Sequence, residues 1–285
     1  MGRPIDLVII GQISKDIILI DGRAETAPGG GVLYASYAAK ATGAEILAVT
    51  KLAAEDAGLL SGFRERGIPV LDLPSPATTV MEDRFEAASG YRRRSRILSQ
   101  ATPFSLSEIS VSRAGIYYLT ALMHGEIPEA MIAELAGRGR VALDVQGFLR
   151  HREGELLVLR DWAGKERLLS RVSFLKADWD EARFLTGGED LVAVVERIHR
   201  WGVREILITD TEGVTVSDGA EVFTNPFEPY DIRCRTGRGD TCFASFLGFR
   251  PRHGLQESLR LAAEITRRKL TYPGPYRGEA LPAGA

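Results

Sequence analysis

A chain of 285 residues that is 45% hydrophobic and 26% charged buries a large core with no need of a disulfide or metal staple. Its 36 basic and 38 acidic residues leave a net charge of −2, which gives no bulk attraction for a polyanion and argues against nucleic acid as a partner. The two cysteines, Cys234 and Cys242, stand outside any metal-type Cys/His cluster, as is usual in a reducing compartment.

Residues 7–10 form the first of several short Val/Ile-rich runs. The run is too short to span a membrane and lacks a signal-peptide cleavage pattern, so a cytoplasmic protein with no membrane partner is expected. A hairpin follows, with a strand at 17–20 turning at Asp21-Gly22. A helix over 31–42, a strand at 46–49 and a helix over 55–66 come next. A second hairpin leaves along 78–85, turns near Ser89-Gly90 and returns over 91–98 with Arg92, Arg93, Arg94 and Arg96. Beyond it, strands at 116–119, 141–143, 172–175 and 206–208 alternate with helices over 127–138 and 190–201. A hairpin-like stretch at 214–223 precedes helices over 239–249 and 255–270. Apolar runs alternating with amphipathic stretches indicate βα units around a mostly parallel sheet covered on both faces. The two early hairpins break that rhythm. Strands at about 16–28 and 78–98 are read as a small lid over the strand ends, where open α/β sheets bind ligands, or equally as solvated edge hairpins.

The chemistry concentrates in Cys234-Arg235-Thr236-Gly237-Arg238-Gly239-Asp240-Thr241, just before the apolar helix. Glycines ahead of a helix let backbone amides converge, and the helix dipole adds positive charge there, which suits a phosphate. Asp240 in the first turn would then reach a hydroxyl proton as the oxygen attacks phosphorus. The same residues also read as a glycine turn with an acidic helix cap. No P-loop motif is present, and Gly29-Gly30-Gly31 lacks dinucleotide-binding spacing.

Gly237-Arg238-Gly239-Asp240 resembles the G-A-G-D signature of the ribokinase-like (PfkB) carbohydrate kinase family, and further landmarks follow in order over nearly the whole chain. Gly11 to Asp16 resembles the family's first strand and turn, whose aspartate holds substrate hydroxyls. Gly29-Gly30-Gly31 is similar to its first glycine signature, with Tyr34 where many members have asparagine. Asp144-Val145-Gln146 resembles its D-x-N segment, and Asp178 to Glu181 its N-x-x-E element, with Asp178 replacing the asparagine. Thr209-Asp210-Thr211-Glu212-Gly213 resembles the turn that binds nucleotide phosphates. The phrasing around Asp144 and Lys176 looks closest to the myo-inositol kinase branch.

The resemblance implies a three-layer α/β/α sandwich with a mostly parallel central sheet and a small β lid, all of 1–285 forming one kinase domain, as a monomer or homodimer. It implies ATP and magnesium as cofactors and a small sugar or cyclitol as substrate. Asp240 is the implied base, with Gly237, Arg238 and Gly239 as the anion hole. Asp16, Gly29, Gly30, Gly31, Tyr34 and Gln146 are the implied substrate contacts, and Asp178, Glu181, Thr209, Thr211 and Gly213 the implied donor contacts, Glu181 meeting magnesium through water. A nucleoside kinase of the same fold and a non-catalytic sugar- and ATP-binding sensor are the alternatives. Two departures fall inside the signature. Arg238 replaces alanine, either folding toward the phosphate or pointing outward. Cys234 replaces an aspartate that in many members helps bind an activating monovalent cation. That removes the basis for potassium activation and leaves Arg235 as a candidate fixed charge.

Overall fold

The computed structural model describes residues 4–85, 94–227 and 231–280. Its strands in chain order are β1 (Leu7–Ile10), β2 (Ser14–Ile20), β3 (Arg23–Gly29), β4 (Ile46–Leu52), β5 (Val70–Pro74), β6 (Thr79–Phe85), β7 (Arg94–Ser99), β8 (Ile116–Leu119), β9 (Arg140–Asp144), β10 (Arg150–Glu153), β11 (Leu156–Leu159), β12 (Phe174–Asp178), β13 (Glu205–Thr209), β14 (Gly213–Ser217) and β15 (Val222–Pro226). The helices are α1 (Gly31–Ala41), α2 (Ser61–Glu65), α3 (Ala130–Ala136), α4 (Gln146–Leu149), α5 (Lys165–Leu169), α6 (Trp179–Thr186), α7 (Leu191–Arg200), α8 (Arg238–Phe249) and α9 (Leu255–Leu270). None of these described helices is long and apolar enough to cross a membrane.

The larger sheet runs β15-β14-β13-β12-β9-β8-β1-β4-β5. It is parallel from β13 to β5 and ends in the antiparallel hairpin of β14 and β15. Because side chains alternate along a strand, each central strand feeds two cores. Leu7 and Ile9 pack with α1, α8 and α9, while Val8 and Ile10 pack with α3, α6 and α7 on the other face. Tyr118 and Tyr117 divide in the same way. Two cores separated by one sheet make the three-layer sandwich expected from the alternating rhythm.

Strand order reverses at the centre: the chain leaves β1 toward β4 and β5, then returns on its other side at β8. A crevice opens beyond the carboxyl ends of strands at such a switch point. The backbone is close there, since a Cβ on Gly11 would sit 2.4 Å from the Thr120 carbonyl oxygen.

A second sheet runs β10-β11-β7-β6-β2-β3. It is entered three times, after β1, after β5 and after β9, each time from the carboxyl end of a main-sheet strand. Asp21 and Gly22, with φ of 46° and 81°, make the tight turn between β2 and β3. The turn expected near Ser89-Gly90 lies outside the described residues, as do Arg92 and Arg93.

The sequence does not forecast β5, the β10–β11 hairpin or helices α4 and α5. The β10 segment reads Arg-His-Arg-Glu, a polar edge with no apolar alternation to reveal it. The expected helix at 55–66 divides into a 3₁₀ run, Ala54–Leu60, and the short α2. The strand expected at 172–175 sits two residues later as β12.

Glu126, on the connection from β8 to α3, is fully buried. Its Oε2 accepts from the Leu122 amide at 2.8 Å, and its Oε1 has no hydrogen-bond partner among the described residues. Burial pushes this carboxyl up to about 8. The unfolded carboxyl loses its proton near its ordinary value, so between there and about 8 the folded state holds the extra proton. Stability then falls as pH rises, by up to about 1.4 kcal/mol per pH unit. Urea midpoints measured from pH 5 to 8 are expected to decline in the wild type and to flatten in Glu126→Gln.

Candidate active site

The glycine nest forms as its sequence requires. Gly237 caps α8 in the left-handed region at φ 73°, and a Cβ there would lie 2.1 Å from the Tyr34 ring. The Arg238 amide donates to the Arg235 carbonyl at 3.1 Å. The amides of Gly239 and Asp240, in the first turn, have no acceptor among the described residues. They stand at the positive end of a twelve-residue helix.

Asp240 lies beside the switch point, in contact with the segment past β8 and the start of α1. Its Oδ1 accepts from Thr120 Oγ1 at 3.2 Å, just past the end of β8. Gly31, the first residue of α1, lies against the same pair: a Cβ there would fall 2.0 Å from Thr120 Oγ1 and 2.7 Å from Asp240 Oδ1. Gly30, at φ 92°, approaches the Gln12 carbonyl, and Gly29 lies against the Asp16 carboxylate. Asp16 accepts from Ser14 Oγ at 2.6 Å. The three glycines therefore serve close approach, and they bring Asp16, Thr120 and Asp240 to one crevice. Tyr34 is buried beneath the nest against Gly237.

Beneath the first turn of α8 lies Lys176, which the sequence reading did not single out. Its side chain is 6% exposed, and its Nζ lies 2.9 Å from Asp144 and 3.8 Å from Glu181. A Cβ on Gly239 would be 3.0 Å from that nitrogen, so the ammonium sits directly under the nest. Burial pushes the Asp144 carboxyl up to about 7, against the pull of Lys176. Burial alone would lower Lys176, but Asp144, Glu181 and Asp240 outweigh it and hold the ammonium above the ordinary lysine value.

Asp178 and Glu181 form a capping box on α6. The Asp178 side chain accepts from the Glu181 amide at 2.8 Å, and Glu181 Oε2 accepts from the Asp178 amide at 2.9 Å. Arg150 reaches Glu181 Oε1 at 3.4 Å. Against burial, Lys176 and Arg150 keep Glu181 below the usual carboxylate value. Both Glu181 oxygens are thus engaged. Among the described residues no group of three or more His, Cys, Asp or Glu is placed to hold a metal.

The other expected residues surround this centre. Thr209 is buried at the end of β13, and a Cβ on Gly239 would be 3.8 Å from its hydroxyl oxygen. Thr211 and Gly213 belong to a turn in which Asp210 Oδ1 accepts from the Gly213 amide at 2.7 Å. Gln146 opens α4, with its amide bonded to Asp144 Oδ1 at 3.1 Å. Arg238 is half-buried with its guanidinium 5.9 Å from the Phe227 ring centroid.

Among solved structures, a pyrophosphate-dependent kinase in the ribokinase family, complexed with a pyrophosphate analog and myo-inositol, is 36% identical to this chain. The match covers 95% of this chain and 97% of that one, with a TM-score of 0.88. The chain belongs to the ribokinase family. No protein-family model matches it. Among curated relatives, a cytidine kinase of Thermococcus kodakarensis is 28% identical over 95% of this chain and 98% of its own length. An inositol 3-kinase of Oryza sativa subsp. japonica is 28% identical over 84% of this chain and 61% of its own. These relatives are all kinases, and the chain is a carbohydrate or related kinase of the ribokinase family.

Proposed function

We propose that this chain transfers a phosphoryl group from a phosphoanhydride donor to a hydroxyl of a small sugar or cyclitol, with Asp240 as general base. The observation that carries the reading is the place of Asp240: in the first turn of α8, hydrogen-bonded to Thr120, beside the Gly239 amide and above Lys176. A group that only capped the helix would need neither the ammonium below it nor the crevice beside it.

In this mechanism Asp16 orients the acceptor and Asp240 takes its proton as the oxygen attacks in line. Charge developing on the equatorial oxygens meets the first-turn amides and Lys176, which are already fixed in place. Magnesium carried by the donor phosphates would neutralise part of their charge. Glu181, held by Arg150 and the Asp178 amide, would meet it through water, with Asp178 beside it. Residues 1–285 act as one kinase domain, with the second sheet as a lid that excludes water from the transfer. Ile20, Leu98, Leu156 and Leu159 are exposed on that sheet and favour the homodimer over the monomer.

ATP is the donor implied by the family resemblance. Pyrophosphate is the second reading, favoured by Arg238. Its guanidinium packs on Phe227 beside the nest and, with Lys176 and Arg150, adds charge suited to a donor made only of phosphate. The 36% identical relative is pyrophosphate-dependent, which supports the same reading. A nucleoside acceptor remains the alternative, as in the cytidine kinase relative.

Initial rates with ATP and with pyrophosphate, each against myo-inositol, ribose, fructose and cytidine, decide between these. Turnover with a polyol is expected. Turnover with cytidine alone would replace the sugar acceptor by a nucleoside, and none with any pair would leave a sensor.

A further inference from the structure

Lys269, in the last turn of α9, is 0% exposed, and no carboxylate lies within ion-pair distance of it among the described residues. Its Nζ donates instead to two backbone carbonyls of the segment leading into the nest, those of Thr236 and, at 3.4 Å, Cys234. Its remaining side is the face of Tyr34, with the nitrogen 5.4 Å from the ring centroid. That ring is the one packed against Gly237. The same segment is tied to α9 twice more, since the Arg233 and Cys234 amides donate to the Leu270 carbonyl at 2.9 and 3.1 Å.

An ammonium buried without an ion-paired carboxylate is costly: burial pulls Lys269 below the ordinary lysine value against the favourable charges of Cys234 and Asp240, and a methionine of similar length would fill the space without that cost. The charge therefore has a use. An ammonium held by carbonyl oxygens and an aromatic face is coordinated as a bare monovalent cation would be. It draws the Cys234 and Thr236 carbonyls inward, and because the N–H of a trans peptide lies opposite its C=O, the Arg235 and Gly237 amides are turned away from Lys269. The exposed Arg235 does not have this position.

We propose that Lys269 supplies the fixed cation of the nest, as a positioning residue that holds the Thr236–Gly237 peptide so that the Gly237 amide faces the transferring phosphoryl group, and so that the chain requires no free monovalent cation. The inference rests on the kinase reading above and concerns the same site.

The test compares wild type, Lys269→Met and Lys269→Ala in buffers whose only monovalent cation is tetramethylammonium, then with potassium or ammonium added. Wild-type turnover is expected to be unchanged by either ion. Lys269→Met, which keeps the packing, is expected to lose about 100-fold in kcat, the scale of removing one electrostatic donor, with a melting temperature showing that it folds. Lys269→Ala leaves room for an ion, and potassium or ammonium is expected to restore its turnover at least tenfold, an effect that lost packing alone would not give. A wild type that needs potassium, a fully active Lys269→Met, or a Lys269→Ala that neither ion restores would overturn the proposal. If the wild type phosphorylates no acceptor, the kinase reading fails on its own. Calorimetric binding of pyrophosphate then decides this one: affinity lost in Lys269→Ala and regained with ammonium supports it, and equal affinity in all three proteins overturns it.

Discussion

Asp240→Asn is expected to lower turnover by about 10²- to 10⁴-fold while leaving folding and donor binding near wild type. Asparagine keeps the shape and can still meet Thr120 Oγ1, so α8 should start unchanged. What it loses is the capacity to take the acceptor's proton. The loss should appear in kcat at every substrate concentration, with the KM for donor little altered, because the nest amides and Lys176 remain. Removing one carboxylate from beneath the phosphates also removes a like-charge repulsion, so donor affinity is expected to stay level or rise slightly. Steady-state kinetics with calorimetric donor binding separate the two effects. Near-normal turnover in Asp240→Asn would remove Asp240 from the base role.

Lys176→Met is expected to damage both stability and activity, for separable reasons. Asp144 is 2% exposed with Lys176 at 2.9 Å, and Glu181 is 3% exposed with the same ammonium at 3.8 Å. Deleting the ammonium leaves the Asp144 carboxylate uncompensated and Glu181 with Arg150 alone, a loss of about 3–5 kcal/mol in comparable cases. Relief comes by protonating Asp144, whose carboxyl burial already pushes up to about 7. Pairing the change with Asp144→Leu removes the stranded charge, and the double variant is expected to recover most of the urea midpoint. Turnover should not recover with it. The ammonium beneath Gly239 is placed to meet charge that develops in transfer, and its loss should cost about 10²-fold or more in kcat. A double variant that regained both would reduce Lys176 to a structural partner of Asp144.

The legible part of this molecule is the part written locally. Gly237 to Asp240 announced a helix start with converging amides, and Gly237 indeed takes the left-handed conformation that excludes a side chain. Asp21-Gly22 announced its hairpin turn. The alternating apolar runs gave the parallel sheet because each strand is buried on both faces and has little freedom to be anything else.

What stayed hidden depends on distant partners. Lys176 reads as a polar interruption of an apolar strand until Gly239 is set above it and Asp144 beside it. Lys269 reads as one of three basic residues closing a helix, favourable for the dipole, until its side chain is found turned inward to the Cys234 and Thr236 carbonyls. The sequence signal is a lysine at helical spacing from Ala262 and Ile265, on the face of α9 that the structure buries. The β10–β11 hairpin carries charges at a sheet edge and owes its conformation to pairing with β7, which no local pattern records.

In the proposed reaction phosphate leaves its donor for a carbon-bound hydroxyl and not for water. Phosphorus NMR of the wild type with myo-inositol, magnesium and either ATP or pyrophosphate tests it directly. A phosphomonoester resonance growing with consumption of one donor, and absent with Asp240→Asn on the same timescale, is the predicted result. Orthophosphate with no ester, with this or any other polyol, would contradict it.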